Sequence, residues 1–152
     1  MKTLTGSIAI AVLALTAFTN ASARDCPAVC WIDVRVVDDG KGGKKLEIED
    51  DGNAKMPKKF RWVAIIWTLK TDGYEFRNDG IVPHTGRPIP GKDTTTQGTW
   101  DRQITRGSSG RWDQFYVWNL NSDRVTMYYD VKVYPYDGGA PITLDPAIVN
   151  DP

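Results

Sequence analysis

Along most of the chain apolar and polar residues alternate one for one, as strands with one buried and one wet face require. In residues 31–37, Ile32, Val34 and Val36 fall on one face and Asp33 and Arg35 on the other. A turn cluster over 38–43, rich in Asp and Gly, leads to Leu46 and Ile48 alternating with Lys45, Glu47 and Glu49, so a hairpin is expected. Residues 60–69 are apolar on both faces, which predicts a central strand covered on two sides, with Trp62 and Trp67 in the core. Short strands follow at 74–77 and 114–120. The cleanest alternation runs over 124–134, with Val125, Met127, Tyr129, Val131 and Val133 pointing inward. Residues 142–149 read as a Pro-containing edge segment. No stretch holds a helical period over three turns. Residues 83–111 carry Pro, Gly and a Thr94-Thr95-Thr96 run but little pattern, and only short strands near 97–105 are expected there.

About seven short strands separated by turn signals predict an all-β fold, an immunoglobulin-like antiparallel β-sandwich, with a closed barrel as the alternative. The Cys…Trp…Cys spacing of true immunoglobulin domains is absent, so the likeness is one of architecture. Ile32, Val34, Trp62, Ile66, Val117, Met127, Tyr129 and Val131 are the expected core.

Two stretches add a resemblance. Tyr74-Glu75-Phe76 leads to Gly80-Ile81. Tyr128-Tyr129-Asp130-Val131-Lys132-Val133-Tyr134 leads to Leu144-Asp145-Pro146-Ala147-Ile148-Val149-Asn150. Both resemble patterns in small exported bacterial proteins of uncharacterised function. The resemblance implies a β-sandwich and carries over no catalytic residue.

The N-terminus changes the picture. Lys2 precedes an apolar run at 8–18, and Ala21-Ser22-Ala23 forms a small-x-small site. This is the layout of a secretory signal peptide over 1–23, and the run is too short to span a bilayer. Residues before Cys26 (Ala23-Arg24-Asp25) do not suit a lipidated cysteine. The remainder, 24–152, is expected to be one sandwich domain with an irregular insertion at about 83–111, periplasmic or secreted, with no transmembrane segment after cleavage. Nineteen basic residues balance nineteen acidic ones, which gives no electrostatic reason to expect nucleic acid. No cofactor fingerprint is present.

Cys26-Pro27-Ala28-Val29-Cys30 is similar to the copper-binding motif of the Sco family, which implies thiolate ligation of copper(I) with a distant His. Its place at the mature N-terminus, with no alternating β/α pattern, favours a structural disulfide, and no metal site is assigned. A disulfide needs Cα atoms about 4.4–6.8 Å apart. Four steps of extended strand span roughly 13 Å. The Cys26–Cys30 bridge therefore predicts a helical turn, opened by Pro27, just before a strand starting at Trp31.

His84 is the sole histidine. With Ser108 or Ser109, or an Asp of the same loop, it defines the alternative function, a small secreted hydrolase. Gly-x-Ser-x-Gly is absent, and a triad cannot be assembled from spacing. No catalytic residue is assigned. The aspartates at 38–39, 50–51, 72, 79, 123 and 137 adjoin Gly or other turn residues, where Asp bonds its own backbone, and neither Asp-Asp-Gly matches an EF-hand loop. Lysines at 41, 44, 45, 55, 58 and 59 read as solvated gatekeepers. Trp100 and Trp112 lie in or beside the insertion, next to Arg102 and Arg111, and such polar-ringed tryptophans suit a sugar or protein partner. The expected function is a non-enzymatic binding or structural module of the bacterial cell envelope or secretome. Its candidate contacts are Trp100, Trp112, Arg102, Arg111 and His84, and its expected partner is an envelope protein or glycan.

Overall fold

The computed structural model describes residues 23–56, 58–85, 95–107 and 110–151. Residues 1–22 of the expected signal segment and the Ser108-Ser109 pair lie outside the described residues. In chain order the strands begin with β1 (Arg24–Asp25), β2 (Val29–Asp38), β3 (Lys44–Ile48), β4 (Ala54–Met56) and β5 (Val63–Leu69). Next come β6 (Tyr74–Glu75), β7 (Ile81–Pro83), the helix α1 (Gln97–Gln103), β8 (Ile104–Arg106) and β9 (Gln114–Asn119). The chain closes with β10 (Val125–Pro135), β11 (Ile142–Leu144) and β12 (Ala147–Asn150).

The fold is all-β in class, built from two mixed sheets around one core. One sheet runs β3-β2-β5-β9-β8. The other runs β1-β4-β12-β10-β11, with β6 and β7 on the opposite edge of β10. The hairpin of β2 and β3 stands where alternation places it, with Val34 opposite Ile48 and Val36 opposite Leu46. β2 and β5, β1 and β4, and β4 and β12 pair in parallel. Twelve strands among the described residues, with parallel pairs, differ from the wholly antiparallel set of about seven that alternation predicts. The reason is a crossover. After β3 the chain contributes β4 to the other sheet, then returns as β5 beside β2 in the same direction, which a tight hairpin cannot achieve.

β10 organises its sheet. Val131 pairs with Leu144 on one side and Ile81 on the other, and its side chain is fully buried. β11 and β12 continue one register along β10, interrupted only at Asp145-Pro146, where the Tyr129 N–H still donates to the Pro146 carbonyl at 3.0 Å. The segment expected to be an edge is thus interior over β12, which lies between β4 and β10. Pro146 is tolerated because it falls between the two ladders.

Of the expected core, Ile32, Val34, Val117, Met127, Tyr129 and Val131 are buried. Trp62 and Ile66 correct the expectation: Trp62 is exposed and Ile66 half-buried. The strand starts at Val63, and both residues take the outer face, while Val63, Ile65, Trp67 and Leu69 take the inner one. The short strands expected near 97–105 are instead a helix followed by a strand. Thr96 caps α1 by accepting the Thr99 N–H at 3.2 Å, and Trp100 and Gln103 form its buried face.

Cys26 and Cys30 form a disulfide with Cα atoms 5.1 Å apart. The turn between them is a bend, not a helical turn, and the strand opens at Val29 rather than Trp31. Only Cys30 belongs to the strand, so the reach limit on an extended pair is respected.

Trp67 and Tyr129 join the sheets through the middle, edge to face at 5.5 Å. The Trp67 Nε1–H donates to the Tyr129 hydroxyl at 3.3 Å, which donates to the Gly52 carbonyl at 2.7 Å. Burial pushes the Tyr129 phenol well above its ordinary range. Gly52 has a φ of 72°, and an added Cβ would stand 2.8 Å from Pro146, so only glycine fits there. Tyr129→Phe is expected to cost about 1–3 kcal/mol, because it strands a buried indole N–H and a buried carbonyl. Urea denaturation checks this, and an unchanged midpoint would mean that both groups find other partners.

Candidate functional site

The outer face of the β3-β2-β5-β9-β8 sheet carries an unusual set of side chains. Strand alternation and register align them in rows. One row runs Val29, Ala64, Trp118 and Thr105 across β2, β5, β9 and β8. The next runs Trp31, Ile66 and Tyr116, and a third runs Asp33, Thr68 and Gln114. Trp62 precedes β5 and borders a shallow depression of about 370 Å³ with Trp118 and Thr105. Trp31, Trp62 and Trp118 keep 49%, 51% and 40% of their surface in solvent, far more than a core indole would.

The face is built rigidly. Small Ala64 and the half-buried Ile66 form its floor on the central strand. Tyr116 and Trp118 meet edge to face at 5.4 Å, which limits how far either ring can turn. The Tyr116 ring lies over Gly107, where an added Cβ would fall 1.8 Å from its Cδ1. Glycine is needed here for close approach. The Gly107 N–H donates to the Tyr116 carbonyl at 3.0 Å and extends the β8–β9 ladder. At one margin, Asp33 lies between Lys70 (3.3 Å) and Arg35 (3.7 Å), a polar rim beside the aromatic field.

The residues singled out from sequence do not share this face. Trp100 is 7% exposed and packs against Tyr129 at 6.2 Å, so it is mainly a packing residue. Trp112 is 52% exposed but meets Tyr136 edge to face at 5.7 Å. Arg102 faces Asp123 at 3.9 Å. Arg111 forms a two-pronged ion pair with Asp113, and that guanidinium holds the Asp113 carboxyl below its usual range. His84 is placed on the outer side of the other sheet, with Nδ1 2.6 Å from Asp130 Oδ1. Asp130 also borders a cleft of about 460 Å³ lined by Trp100, Asp101, Arg106 and Lys132.

Trp31 and Trp118 were within reach of the sequence pattern. Trp31 falls in phase with Asp33 and Arg35, the side that alternation assigns to water, and Trp118 is out of phase with buried Phe115 and Val117. What no spacing discloses is that β2 and β9 flank β5 and so bring these tryptophans onto one surface. No known protein-family model matches this chain, and no curated protein sequence matches it.

Proposed function

We propose that this chain is a non-enzymatic binding module of the bacterial cell envelope or secretome, and that it holds a glycan chain on the outer face of Trp31, Trp62, Tyr116 and Trp118. The exposure of three tryptophans on one sheet face, two on strands and Trp62 just before β5, carries this reading. The C–H face of a sugar ring is apolar and flat, like an indole, and its hydroxyl edge meets polar groups such as Thr105 and Gln114. Strand-borne rings are held in place before binding, so little conformational entropy is lost on contact. The three indoles offer on the order of 300 Å² of open apolar surface, which matches a functional patch. A stable dimer would need about 800 Å² per partner. Export fits the Cys26–Cys30 disulfide, since such bonds persist outside the reducing cytoplasm. The immunoglobulin-like sandwich is retained only as an architectural likeness, two face-to-face sheets with mixed pairing.

The test is titration of the mature chain with soluble β-linked oligosaccharides and solubilised peptidoglycan, followed by intrinsic tryptophan fluorescence. Binding is expected with at least one of these probes. Trp31→Ala and Trp118→Ala should each weaken it about tenfold or more, with a melting temperature nearly unchanged because both side chains are already half in water. Absence of binding to every glycan probe would overturn the proposal.

A second reading, a small hydrolase, draws on the His84–Asp130 pair, a histidine oriented by a carboxylate. The carboxylate comes from strand β10 rather than from the loop. Progressive shortening of the same oligosaccharides, abolished by His84→Ala, would favour it.

A further inference from the structure

We propose that His84, Asp130 and Asp145 form a binding site for one divalent transition-metal ion of the zinc type. This site lies on the outer side of the seven-stranded sheet and is independent of the aromatic face.

Three neighbouring strand segments supply the ligands. Asp130 is at the middle of β10 and points outward, between inward Tyr129 and Val131. The continuous register of β11 and β12 along β10 sets Asp145 directly across from Asp130. The Tyr129–Pro146 hydrogen bond beside them marks this pair as one whose side chains approach closely. On the other side, the His84 N–H donates to the Tyr128 carbonyl at 3.0 Å and continues the β7–β10 ladder by one residue, which places His84 diagonally next to Asp130. One potential ligand atom from each of the three residues lies within 4.8 Å of the others. All three residues are half-buried, with side-chain exposures of 13% for His84 and 20% for Asp130.

Two carboxylates directly opposite on adjacent strands repel one another, and partial burial sharpens the repulsion. A cation between them removes it. Lys132, the next outward residue of β10, approaches Asp79 at 3.7 Å. One imidazole and two carboxylates suit zinc or a neighbouring first-row divalent ion. Calcium, which gathers six to eight oxygens, is poorly matched by this set. His84 Nδ1 and Asp130 Oδ1 stand 2.6 Å apart, at hydrogen-bond distance. Two ligands about 2.0 Å from a tetrahedral ion stand roughly 3.3 Å apart. Binding therefore opens the pair by several tenths of an ångström, within reach of side-chain rotation, and the ion takes the place of the hydrogen bond between them.

Untagged mature chain, dialysed against Zn²⁺ and then against metal-free buffer, is analysed for bound metal and titrated calorimetrically with Zn²⁺, Ca²⁺ and Mg²⁺. One zinc per chain is expected, with a raised melting temperature and weak or absent response to Ca²⁺ and Mg²⁺. Asp145→Asn and His84→Gln should each lower zinc affinity about tenfold or more. Their melting temperatures without metal show whether they fold, and zinc-induced shifts in the wild-type His84 ring resonances give a readout that needs no variant. Failure of wild-type chain to bind zinc, unmoved His84 resonances, or equal binding by folded Asp145→Asn would overturn the site and leave His84 and Asp130 a hydrogen-bonded pair. Glycan titration of the same preparations reports on the aromatic face separately.

Discussion

Val131→Asp is expected to cost about 4 kcal/mol or more and to leave the domain largely unfolded under ordinary conditions. Val131 is fully buried at the centre of β10, with hydrogen-bonded neighbours on both sides, so the sheet cannot swing it out to water without breaking two ladders. Its inward neighbours Tyr129 and Val133 are equally buried, and its cross-strand partners are Ile81 and Leu144. None of these offers a cation, and the one hydroxyl among them, that of Tyr129, already donates to the Gly52 carbonyl. Protonation would lessen the penalty only by leaving an unpaired neutral acid in the core. Val131→Ala serves as the control: it removes two methyl groups and should cost roughly 1–3 kcal/mol through lost contact and a small cavity. Urea denaturation followed by tryptophan fluorescence separates the two, and a Val131→Asp midpoint equal to that of the wild type would refute the placement of β10 at the core.

The parts of the fold that were legible in sequence are those where one face is wet and the other dry. β2, β3 and β10 have clean alternation, so the buried set Ile32, Val34, Met127, Tyr129 and Val131 could be read directly. Residues 60–69 are apolar in both phases, so periodicity could not say where the strand began or which side faced out. Trp62 was misplaced for that reason. Strands of two or three residues, such as β1, β4 and β8, are too short to show any period. The seven-residue helix α1 is also below that limit, although Thr96 followed by Trp100 and Gln103 is a cap and a buried helical spacing. Strand direction is invisible to alternation, and only the crossover through β4 makes β2 and β5 parallel.

The candidate sites were less legible, because each depends on which strands become neighbours. His84 stands out by its chemistry, but its partners Asp130 and Asp145 lie 46 and more residues away and meet it through β10. Asp145 sits before Pro146 and looks like an ordinary turn residue. The aromatic excess, read from sequence, points to the irregular insertion, where tryptophans stand among charges. In the structure Trp100 is instead drawn under α1 against Tyr129, while rings on regular strands remain open.

A buried amide cluster gives no signal in the alternation pattern, and it carries the second large expected effect: Asn119→Leu should destabilise the domain by about 2–5 kcal/mol. Asn119 has no solvent exposure, and its Nδ2 donates to Asn150 Oδ1 at 2.7 Å. Its Oδ1 accepts from the Asn121 N–H at 3.1 Å and from Asn150 Nδ2 at 3.3 Å. Asn150 Nδ2 also reaches Gln103 Oε1 at 3.0 Å, and Gln103 Nε2 donates to Ser122 Oγ at 2.9 Å. The cluster joins β9 of one sheet, β12 of the other and the face of α1. Leucine keeps the branched heavy-atom skeleton and leaves no cavity, so the loss comes from polar groups left without partners in a dry interior, with the extra bulk of two methyl groups adding to it. Asn150→Leu should cost a similar amount, since it strands Asn119 Nδ2. The double variant removes both sides of the central bond and should cost less than the two single losses together, by about 1 kcal/mol or more. Urea midpoints for the four proteins close the cycle. Single losses below about 0.5 kcal/mol, or strict additivity, would show that Asn119 and Asn150 are not coupled and that the two sheets are held at this end by packing alone.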